Sequence, residues 1–408
     1  MFKYKKATFR IDIVYPNKMY GGVYSLGPLI VYNLVNNRDN WYCERVFLDH
    51  GKITAPLVGF SLQYEPDLKN VLKMKPKKGL VFAGGPLVNN NLKLVEEYFD
   101  FLFLGDIEVP LVQVLGEYEK GEDGFLDRIT NIKGVYVPGK NEPSFYTNTN
   151  LDDVPYPLVQ PFPDTINEEY VFGNCFMLEI ERGCPYCCKF CAIPTFYKGV
   201  KFRSLEKLKE IIDEGIRINK PEKIVIYAPS FVHPKRKELL EYLITKKLRI
   251  VVPSIKAEHM DKELLTLVKK GGQQSITIAP ETGERLRFEM NKKIKDEVYF
   301  TFVENCNNIG IKKIKMYMLI GVPGMTQDDL EELVLFTKKM KKRFKGRLYL
   351  SINYCVPKPG TPFANEEFDR GKCKEHAKFV QRELKEFRVK VPKLSTSFLE
   401  WKISQNGL

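Results

Sequence analysis

The sequence lacks a long hydrophobic run, and its first residues alternate like a strand instead of forming an apolar signal segment. A membrane-spanning helix needs about 20 consecutive apolar residues, so the sequence predicts neither a transmembrane span nor a secretory signal. We therefore expect a cytoplasmic protein with no membrane association. The length of 408 residues exceeds what one core usually organises, which favours two domains with a terminal extension.

Acidic residues are outnumbered in this chain, since 51 Asp and Glu stand against 64 Lys and Arg, for a net charge of +13. The lysines are scattered along the whole sequence. Such a distribution favours a solvated surface over an acidic macromolecular partner. Charge alone therefore leaves nucleic acid open as a partner.

The sequence also lacks the spread cysteine pairs of a small secreted domain held by disulfides. It has nine cysteines, and four of them fall between positions 184 and 191. Crowded cysteines in a chain of this size indicate a metal or redox centre in a reducing compartment. The dispersed cysteines are expected to be small core residues: Cys43, Cys175, Cys306, Cys355 and Cys373.

The N-terminal part alternates short apolar stretches, such as LVGFSL and GLVFAGG, with helical ones, such as SLGPLIVYNLVNN. Strands that end in Gly or Ser and lead into helices are typical of a doubly wound, Rossmann-like parallel sheet. Ligands of such sheets bind beyond the carboxyl ends of the strands. We assign 1–120 to this domain and the Pro-, Asn-, Asp- and Gly-rich 121–165 to an extended linker.

A second alternating series follows, with the strand-like stretches CFMLEIERG, KIVIYA, LRIVVPS, QSITIAPE, KKIKMYMLIG and RLYLSINYCVP. Helical stretches such as SLEKLKEIIDEGIRI separate them. These strand and helix units predict a partial (β/α)6 barrel of the TIM type over 166–367, with its site at the carboxyl ends of the strands. The remaining residues, 368–408, are predicted to form a short C-terminal extension.

The stretch GCPYCCKFCAI follows the first barrel strand and contains the spacing C-x3-C-x2-C through Cys184, Cys188 and Cys191. Three thiolates on one loop can ligate three irons of a 4Fe-4S cubane and leave the fourth iron open. Structural metal sites normally close with four ligands. The alternative is a zinc knuckle that also uses Cys187, but a residue adjacent to Cys188 cannot easily point at the same metal.

The cysteine motif resembles that of the radical S-adenosylmethionine (SAM) superfamily, whose open iron chelates the amine and carboxylate of SAM. The resemblance implies that Phe190 faces the adenine. It also implies that Glu281, at the end of the fourth strand, accepts hydrogen bonds from the ribose or the methionine ammonium. Gly321, in IGVPGMT, would belong to the same site. A helix-capping turn for Glu281 and a plain loop glycine for Gly321 are the alternatives.

One segment departs from the superfamily pattern. Many members carry Gly-Gly-Glu after the second barrel strand, and this chain has Tyr-Ala-Pro-Ser at 227–230. The usual carboxylate contact to the methionine amine is therefore unassigned.

The N-terminal turns resemble those of a superfamily branch with a cobalamin-binding-type domain. Small residues there would let a planar cofactor and its nucleotide tail approach the backbone closely. Some relatives keep this domain as scaffolding without cobalamin. The residues that the resemblance assigns to the cofactor are Ser61, Leu62, Gly84, Gly85 and Gly105.

The resemblance implies an enzyme that methylates an unactivated carbon. A 5'-deoxyadenosyl radical from SAM would abstract a hydrogen, methylcobalamin would supply the methyl group, and ferredoxin or flavodoxin would donate the electron. The substrate class expected is a protein residue, such as the glutamine of methyl-coenzyme M reductase. The alternatives are a tRNA-modifying or methylthiotransferase-like enzyme without cobalamin, and a cobalamin- or redox-sensing module. The oligomeric state is left open.

Overall fold

A computed structural model describes residues 6–163, 169–197 and 199–407. The described residues divide into two compact units, one within Met1–Met177, Glu206–Pro221 and Asn406–Leu408 and the other within Leu178–Leu205 and Glu222–Gln405. Within the described residues, no helix is long and apolar enough to cross a membrane.

Strands and helices alternate along most of the chain. The strands are β1 (Phe9–Tyr15), β2 (Trp41–Phe47), β3 (Leu57–Ser61), β4 (Leu80–Gly84), β5 (Phe101–Phe103), β6 (Val135–Tyr136), β7 (Cys175–Glu179), β8 (Glu181–Gly183), β9 (Val200–Phe202), β10 (Lys223–Tyr227), β11 (Arg249–Val251), β12 (Ser275–Glu281), β13 (Lys313–Ile320), β14 (Arg347–Tyr354) and β15 (Arg388–Lys390). The α-helices are α1 (Met19–Gly22), α2 (Leu26–Asn36), α3 (Asp67–Met74), α4 (Pro86–Asn90), α5 (Leu92–Val95), α6 (Glu108–Tyr118), α7 (Phe125–Ile129), α8 (Ile193–Phe196), α9 (Leu205–Asn219), α10 (Arg236–Thr245), α11 (Lys262–Lys270), α12 (Glu284–Glu289), α13 (Asp296–Asn308), α14 (Gln327–Arg343), α15 (Arg370–Glu383) and α16 (Leu394–Asn406). Short 3-10 helices span Glu96–Tyr98 and Ala257–His259.

The N-terminal sheet has the strand order β2-β1-β3-β4-β5-β6. Strands β1 to β5 pair in parallel, and β6 pairs antiparallel with β5. The order 2-1-3-4-5 is that of flavodoxin-like sheets, whose ligands bind where the strand order reverses, between the carboxyl ends of β1 and β3. The predicted doubly wound parallel sheet is confirmed.

Strands of this sheet are apolar because both faces are buried. Every residue of β3 and β5 is buried, and Phe82, Phe101 and Phe103 pack ring against ring at centroid distances of 5.1 to 5.8 Å. Burying each such ring stabilises the fold by roughly 1.5–3 kcal/mol. Asp12 is the polar exception in β1, and its Oδ2 accepts hydrogen bonds from the amides of Thr54 and Ala55 at 2.5 and 2.8 Å.

The segment 121–165 contributes to this unit instead of running only as an extended linker. It contains α7 and β6, and Phe125 of α7 is 1% exposed against Phe101 and Tyr118. The apolar runs FL and VYV are too short for a periodic pattern to be detected among the surrounding Pro, Gly and Asn. Their burial comes from tertiary contacts.

The predicted barrel strands are all present, in two hydrogen-bonded sheets ordered β7-β10-β11 and β12-β13-β14-β15. The ladder breaks between β11 and β12, because Pro253 follows β11 closely and cannot continue it. Gln273 bridges the gap, since its side chain accepts from the amide of Val252 at 2.8 Å and donates to the Val252 carbonyl at 3.0 Å.

The C-terminal extension is part of the second unit's packing. A short strand is expected at RVKVP, and β15 forms there and pairs in parallel with β14. On α16, Phe398 and Trp401 pack against Phe368 at ring-centroid distances of 6.2 and 6.4 Å. Phe368 in turn packs against Tyr354 of β14 at 6.2 Å, so the aromatic face of α16 is joined to the sheet.

Candidate active site at the cysteine loop

The cysteine loop lies between the two strands of a short hairpin. Strand β8 pairs antiparallel with β9, and the cysteines occupy the connection. Gly183 opens the loop with a φ of 87°, and a Cβ at this position would lie 2.2 Å from the carbonyl oxygen of Gly199. Only glycine fits this turn, so the backbone enters the loop in one direction.

Three of the four crowded cysteines line one cavity. Cys184 and Cys191 are half-buried and Cys188 is buried, whereas Cys187 is exposed and does not line the cavity. The Cys187 carbonyl instead accepts a hydrogen bond from Asn291 Nδ2 at 2.9 Å, which anchors the loop. The cavity is lined by Cys184, Tyr186, Cys188, Phe190, Cys191, Ile193, Pro229, Ser230, Ser254, Ile255, Lys256, Ala257, Glu258, Ala279, Glu281, Lys292 and Tyr299.

The three cysteines share one cavity wall. Within the described ranges, no group of three His, Cys, Asp or Glu side chains is arranged to hold a single metal ion. A zinc knuckle would draw four ligands onto one ion. In a cubane cluster, each thiolate binds a different iron.

Two lysines of the cavity wall act on the cysteines. Burial raises the pKa of the Cys188 thiol, and the charges of Lys292 and Lys256 offset part of that effect. The Cys191 pKa is raised as well, again mainly by burial. Iron binds thiolate, so nearby ammonium groups favour the ligating form of the cysteines.

Glu281 reaches the cavity through an irregularity of β12. The register with β13 shifts between Ile278 and Glu281, and Glu281 has a φ of 70°, which is rare for a residue with a side chain. Its carboxylate is paired with Lys292, whose Nζ lies 2.8 Å from Glu281 Oε1. Both side chains are 9% exposed. The ligand roles of Glu281 and Phe190 stay predictions, although both side chains line the cavity.

The departure at 227–230 has a local explanation. Ser230 donates to Glu181 Oε1 from its amide at 3.0 Å and from its hydroxyl at 2.9 Å, while the Val232 amide donates to Oε2 at 2.9 Å. Glu181 is fully buried and its carboxylate is satisfied by these donors. The residues after the second barrel strand, β10, therefore donate hydrogen bonds to the buried carboxylate of Glu181. They do not supply a carboxylate to the cavity.

Sequence reasoning missed Lys256 and Glu258, which line the cavity from the segment after β11. Lys256 Nζ lies 3.6 Å from the ring centroid of Tyr186, on the cysteine loop. Their position in the sequence could have indicated this role, because the stretch SIKAEH, which contains both residues, lies at the carboxyl end of a predicted barrel strand. Lys292 was missed because it follows α12 with no motif around it.

The residues predicted to contact cobalamin at the turns of the N-terminal sheet differ in how much space other parts of the chain leave beside them. Gly85 has a φ of 110°, and a Cβ there would lie 2.6 Å from the Leu62 carbonyl oxygen. The Leu62 side chain is fully buried. Gly84 is roomier, since its Cβ would meet nothing nearer than Phe103 Cβ at 3.6 Å. Ser61 is 8% exposed and accepts from Gln63 Nε2 at 3.0 Å.

Two further predicted glycines also have roles in packing. A Cβ on Gly105 would lie 2.0 Å from the Tyr146 carbonyl oxygen, because the two residues form an isolated β-bridge. A Cβ on Gly321 would lie 2.4 Å from Cys373 Sγ, and the φ of Gly321 is 66°. Cofactor contacts at both positions stay predictions.

Comparison with known proteins identifies the family. The profile of the radical SAM superfamily matches residues 178–337, and that of the N-terminal region of radical SAM proteins matches 53–138. The chain belongs to the radical SAM superfamily. The Methanocaldococcus jannaschii protein MJ0966 is 32% identical over 95% of this chain and 86% of its own length. Radical SAM enzymes need an electron donor, and the chain is an enzyme of this class.

More distant proteins share the fold or part of the sequence. The radical SAM methyltransferase TsrM from Kitasatospora setae, solved with a tryptophan substrate and a SAM analogue, superposes with a TM-score of 0.68 at 14% identity, over 88% of this chain and 76% of TsrM. The cobalamin-dependent enzyme OxsB, with cobalamin and SAM bound, gives a TM-score of 0.61 at 13% identity, over 98% of this chain and 56% of OxsB. Methylthiotransferases are among the distant sequence relatives, at 21 to 24% identity.

Proposed function

We propose that the chain is a cobalamin-dependent radical SAM methyltransferase that acts on an unactivated carbon. The observation that carries this proposal is the combination, in one chain, of a flavodoxin-like sheet and a barrel cavity lined by three cysteines. A 4Fe-4S cluster would supply the electron that cleaves SAM to a 5'-deoxyadenosyl radical, and cobalamin would carry the methyl group.

The cluster assignment rests on the cavity. Cys184, Cys188 and Cys191 would be the ligands, and Cys187 would not, because its side chain is exposed outside the cavity wall. Phe190 would lie against the adenine. Glu281 would accept hydrogen bonds from SAM hydroxyl or ammonium groups while Lys292 keeps its charge balanced.

The cobalamin assignment rests on the carboxyl edge of the N-terminal sheet. Two exposed aromatic side chains lie at the switch point, Tyr20 at 38% and Tyr64 at 40% exposure. They are close to Tyr15, whose pKa is raised by burial and then by the charges of Asp67, Tyr64 and Tyr20. Exposed rings beside a crevice suit a large planar ligand. Gly84 leaves room for its tail, whereas Gly85 is filled by the Leu62 carbonyl.

The substrate we propose is a protein residue, and the glutamine of methyl-coenzyme M reductase is a candidate. A low-potential protein such as ferredoxin or flavodoxin would donate the electron.

A methylthiotransferase is the second candidate, because distant relatives carry that name. Such enzymes normally bring a second cluster through N-terminal cysteines. Here only Cys43 precedes position 175, and it is fully buried in the core of the N-terminal sheet. Burial raises the pKa of this thiol far above its ordinary value, which disfavours metal binding.

The proposal is tested by anaerobic purification with an absorption spectrum, cobalamin analysis and incubation with SAM bearing a deuterated methyl group. We expect a 4Fe-4S spectrum, bound cobalamin and a labelled product in cell extract. A reduced, reconstituted protein that left SAM intact would favour the cobalamin- or redox-sensing module. Incorporation of a methylthio group instead of a methyl group would favour the methylthiotransferase.

A further inference from the structure

Glu258 is a carboxylate of the cavity wall whose two oxygens are buried with no hydrogen-bond donor among the described residues. Its side chain as a whole is only 18% exposed. A carboxylate removed from water is costly unless donors replace the lost hydration. A buried carboxylate at a cavity surface without donors of its own therefore indicates that a ligand supplies them.

The segment around Glu258 is held by its neighbours and not by the carboxylate. The Ile255 amide donates to the Thr277 carbonyl at 3.0 Å, which ties the segment to β12. Ile255, Ala257 and Met260 are 4 to 5% exposed and pack into the core. Contacts of its neighbours thus hold Glu258 in a fixed position.

The two carboxylates that line the cavity differ in their partners. Glu281 is paired with Lys292 at 2.8 Å. Among the described residues, Glu258 pairs with Lys256, but the Lys256 Nζ is 4.0 Å from Glu258 Oε1, beyond hydrogen-bond distance, and lies over the Tyr186 ring. Glu258 is therefore the carboxylate of this cavity that is available to the hydrogen-bond donors of a ligand.

We propose that Glu258 accepts hydrogen bonds from the α-amino group of SAM, with Lys256 facing the α-carboxylate. An amine that binds iron through its lone pair keeps two N–H donors, one for each oxygen of Glu258. The Glu258 carboxylate and the Lys256 ammonium, side by side, are complementary to the amine and the carboxylate that SAM presents to the open iron. This assignment gives the methionine amine the partner that the sequence at 227–230 lacks, and it rests on the proposed function.

The test compares Glu258→Gln with wild type in reconstituted, anaerobic full-length protein. Dissociation constants are measured for SAM and for the analogue that lacks the α-amino group. Glu258→Gln should weaken SAM binding by about 10- to 100-fold, as expected for the loss of one charged hydrogen-bonding partner. Binding of the analogue should change by less than about threefold.

Glu263→Gln is the matched control, because Glu263 lies on the neighbouring helix α11 with a 60% exposed side chain paired to Lys237. It should leave both dissociation constants unchanged. The cluster absorption spectrum and the melting temperature are recorded for each variant, and Glu258→Asp, which keeps the charge, should recover part of the affinity.

Equal SAM affinities of wild type and Glu258→Gln would overturn the assignment. So would an equal loss for SAM and the analogue, since Glu258 would then act on another part of the ligand. A wild-type protein that assembled the cluster and bound no SAM would contradict the proposed function itself.

Discussion

The barrel cavity and the carboxyl edge of the N-terminal sheet differ in what the chain leaves unfilled. At the cavity, the Glu258 oxygens are buried without a hydrogen-bond donor from the part of the chain that the structure describes. At the sheet, the chain's own carbonyl groups cover Gly85 and Gly105. A glycine in a turn is explained by the fold that needs it, whereas a buried carboxylate without hydrogen-bond donors points to a ligand. The evidence for bound cofactors therefore comes from side chains of the barrel cavity and from the exposed tyrosine rings at the edge of the sheet, and not from the glycines.

The largest expected effect is on the cluster. Changing Cys184, Cys188 or Cys191 singly to Ala should abolish the 4Fe-4S absorption and the bound iron, because two thiolates on a short loop hold a cubane poorly. Cys187→Ala is the matched control and should retain full iron content, since this side chain lies outside the cavity wall. Iron loss in Cys187→Ala alone would refute the ligand set.

A glycine substitution tests whether the fold itself requires glycine at the turns of the N-terminal sheet. Gly105→Ala should destabilise the N-terminal unit by about 3 kcal/mol, because it combines a φ of 89° with a Cβ 2.0 Å from the Tyr146 carbonyl oxygen. Gly139→Ala isolates the backbone effect, since φ is 73° and nothing lies within 4 Å; its cost should be about 1 kcal/mol. Equilibrium urea unfolding measures both. Equal costs would show that the close contact is relieved without strain.

The proposed cobalamin site predicts a loss confined to one cofactor. Ser61→Tyr should lower cobalamin occupancy at least about tenfold by steric exclusion, while the cluster spectrum stays intact. Gly85→Trp would not isolate this effect, because a Cβ added there would lie 2.6 Å from the Leu62 carbonyl oxygen and would destabilise the fold. Tyr64→Ala should weaken cobalamin binding less. Unchanged occupancy in Ser61→Tyr would reject this site.

Glu281 is expected to matter for SAM and not for the cluster. Glu281→Gln should weaken SAM binding about tenfold, since the neutral side chain also leaves the buried Lys292 charge unbalanced. Glu289→Gln, on the exposed side of α12, is the control. Binding is measured by equilibrium dialysis alongside absorption spectra. Unaltered affinity would return Glu281 to a role in shaping the end of β12.

The smallest expected effect concerns cobalt coordination. Among the chain's four histidines, only His50 precedes residue 175, and it is exposed at the turn after β2. The stretch LDHGKIT lacks the Asp-x-His-x-x-Gly spacing of proteins that ligate cobalt by histidine. We expect base-off cobalamin without imidazole, so His50→Ala should leave the paramagnetic resonance spectrum of the reduced cobalt unchanged. Nitrogen splitting that vanished in this variant would contradict the prediction.

Sequence patterns were sufficient for the barrel strands and the cysteine loop, because alternating apolar runs and a fixed cysteine spacing are local features. They were insufficient for Lys256, Glu258 and Lys292, whose approach to the cysteines depends on the end of β11, the irregular end of β12 and the segment after α12. The role of Ser230 was equally hidden, since it depends on Glu181 from another strand. Tertiary contacts of this kind leave no periodic pattern.

The central claim is that SAM binds the open iron of a cluster held by Cys184, Cys188 and Cys191. Electron paramagnetic resonance of the reduced, reconstituted protein before and after addition of SAM tests it most directly. The account predicts a 4Fe-4S signal that shifts when SAM is added and is absent from each cysteine variant. A cluster signal that SAM left unchanged in the wild-type protein would contradict it.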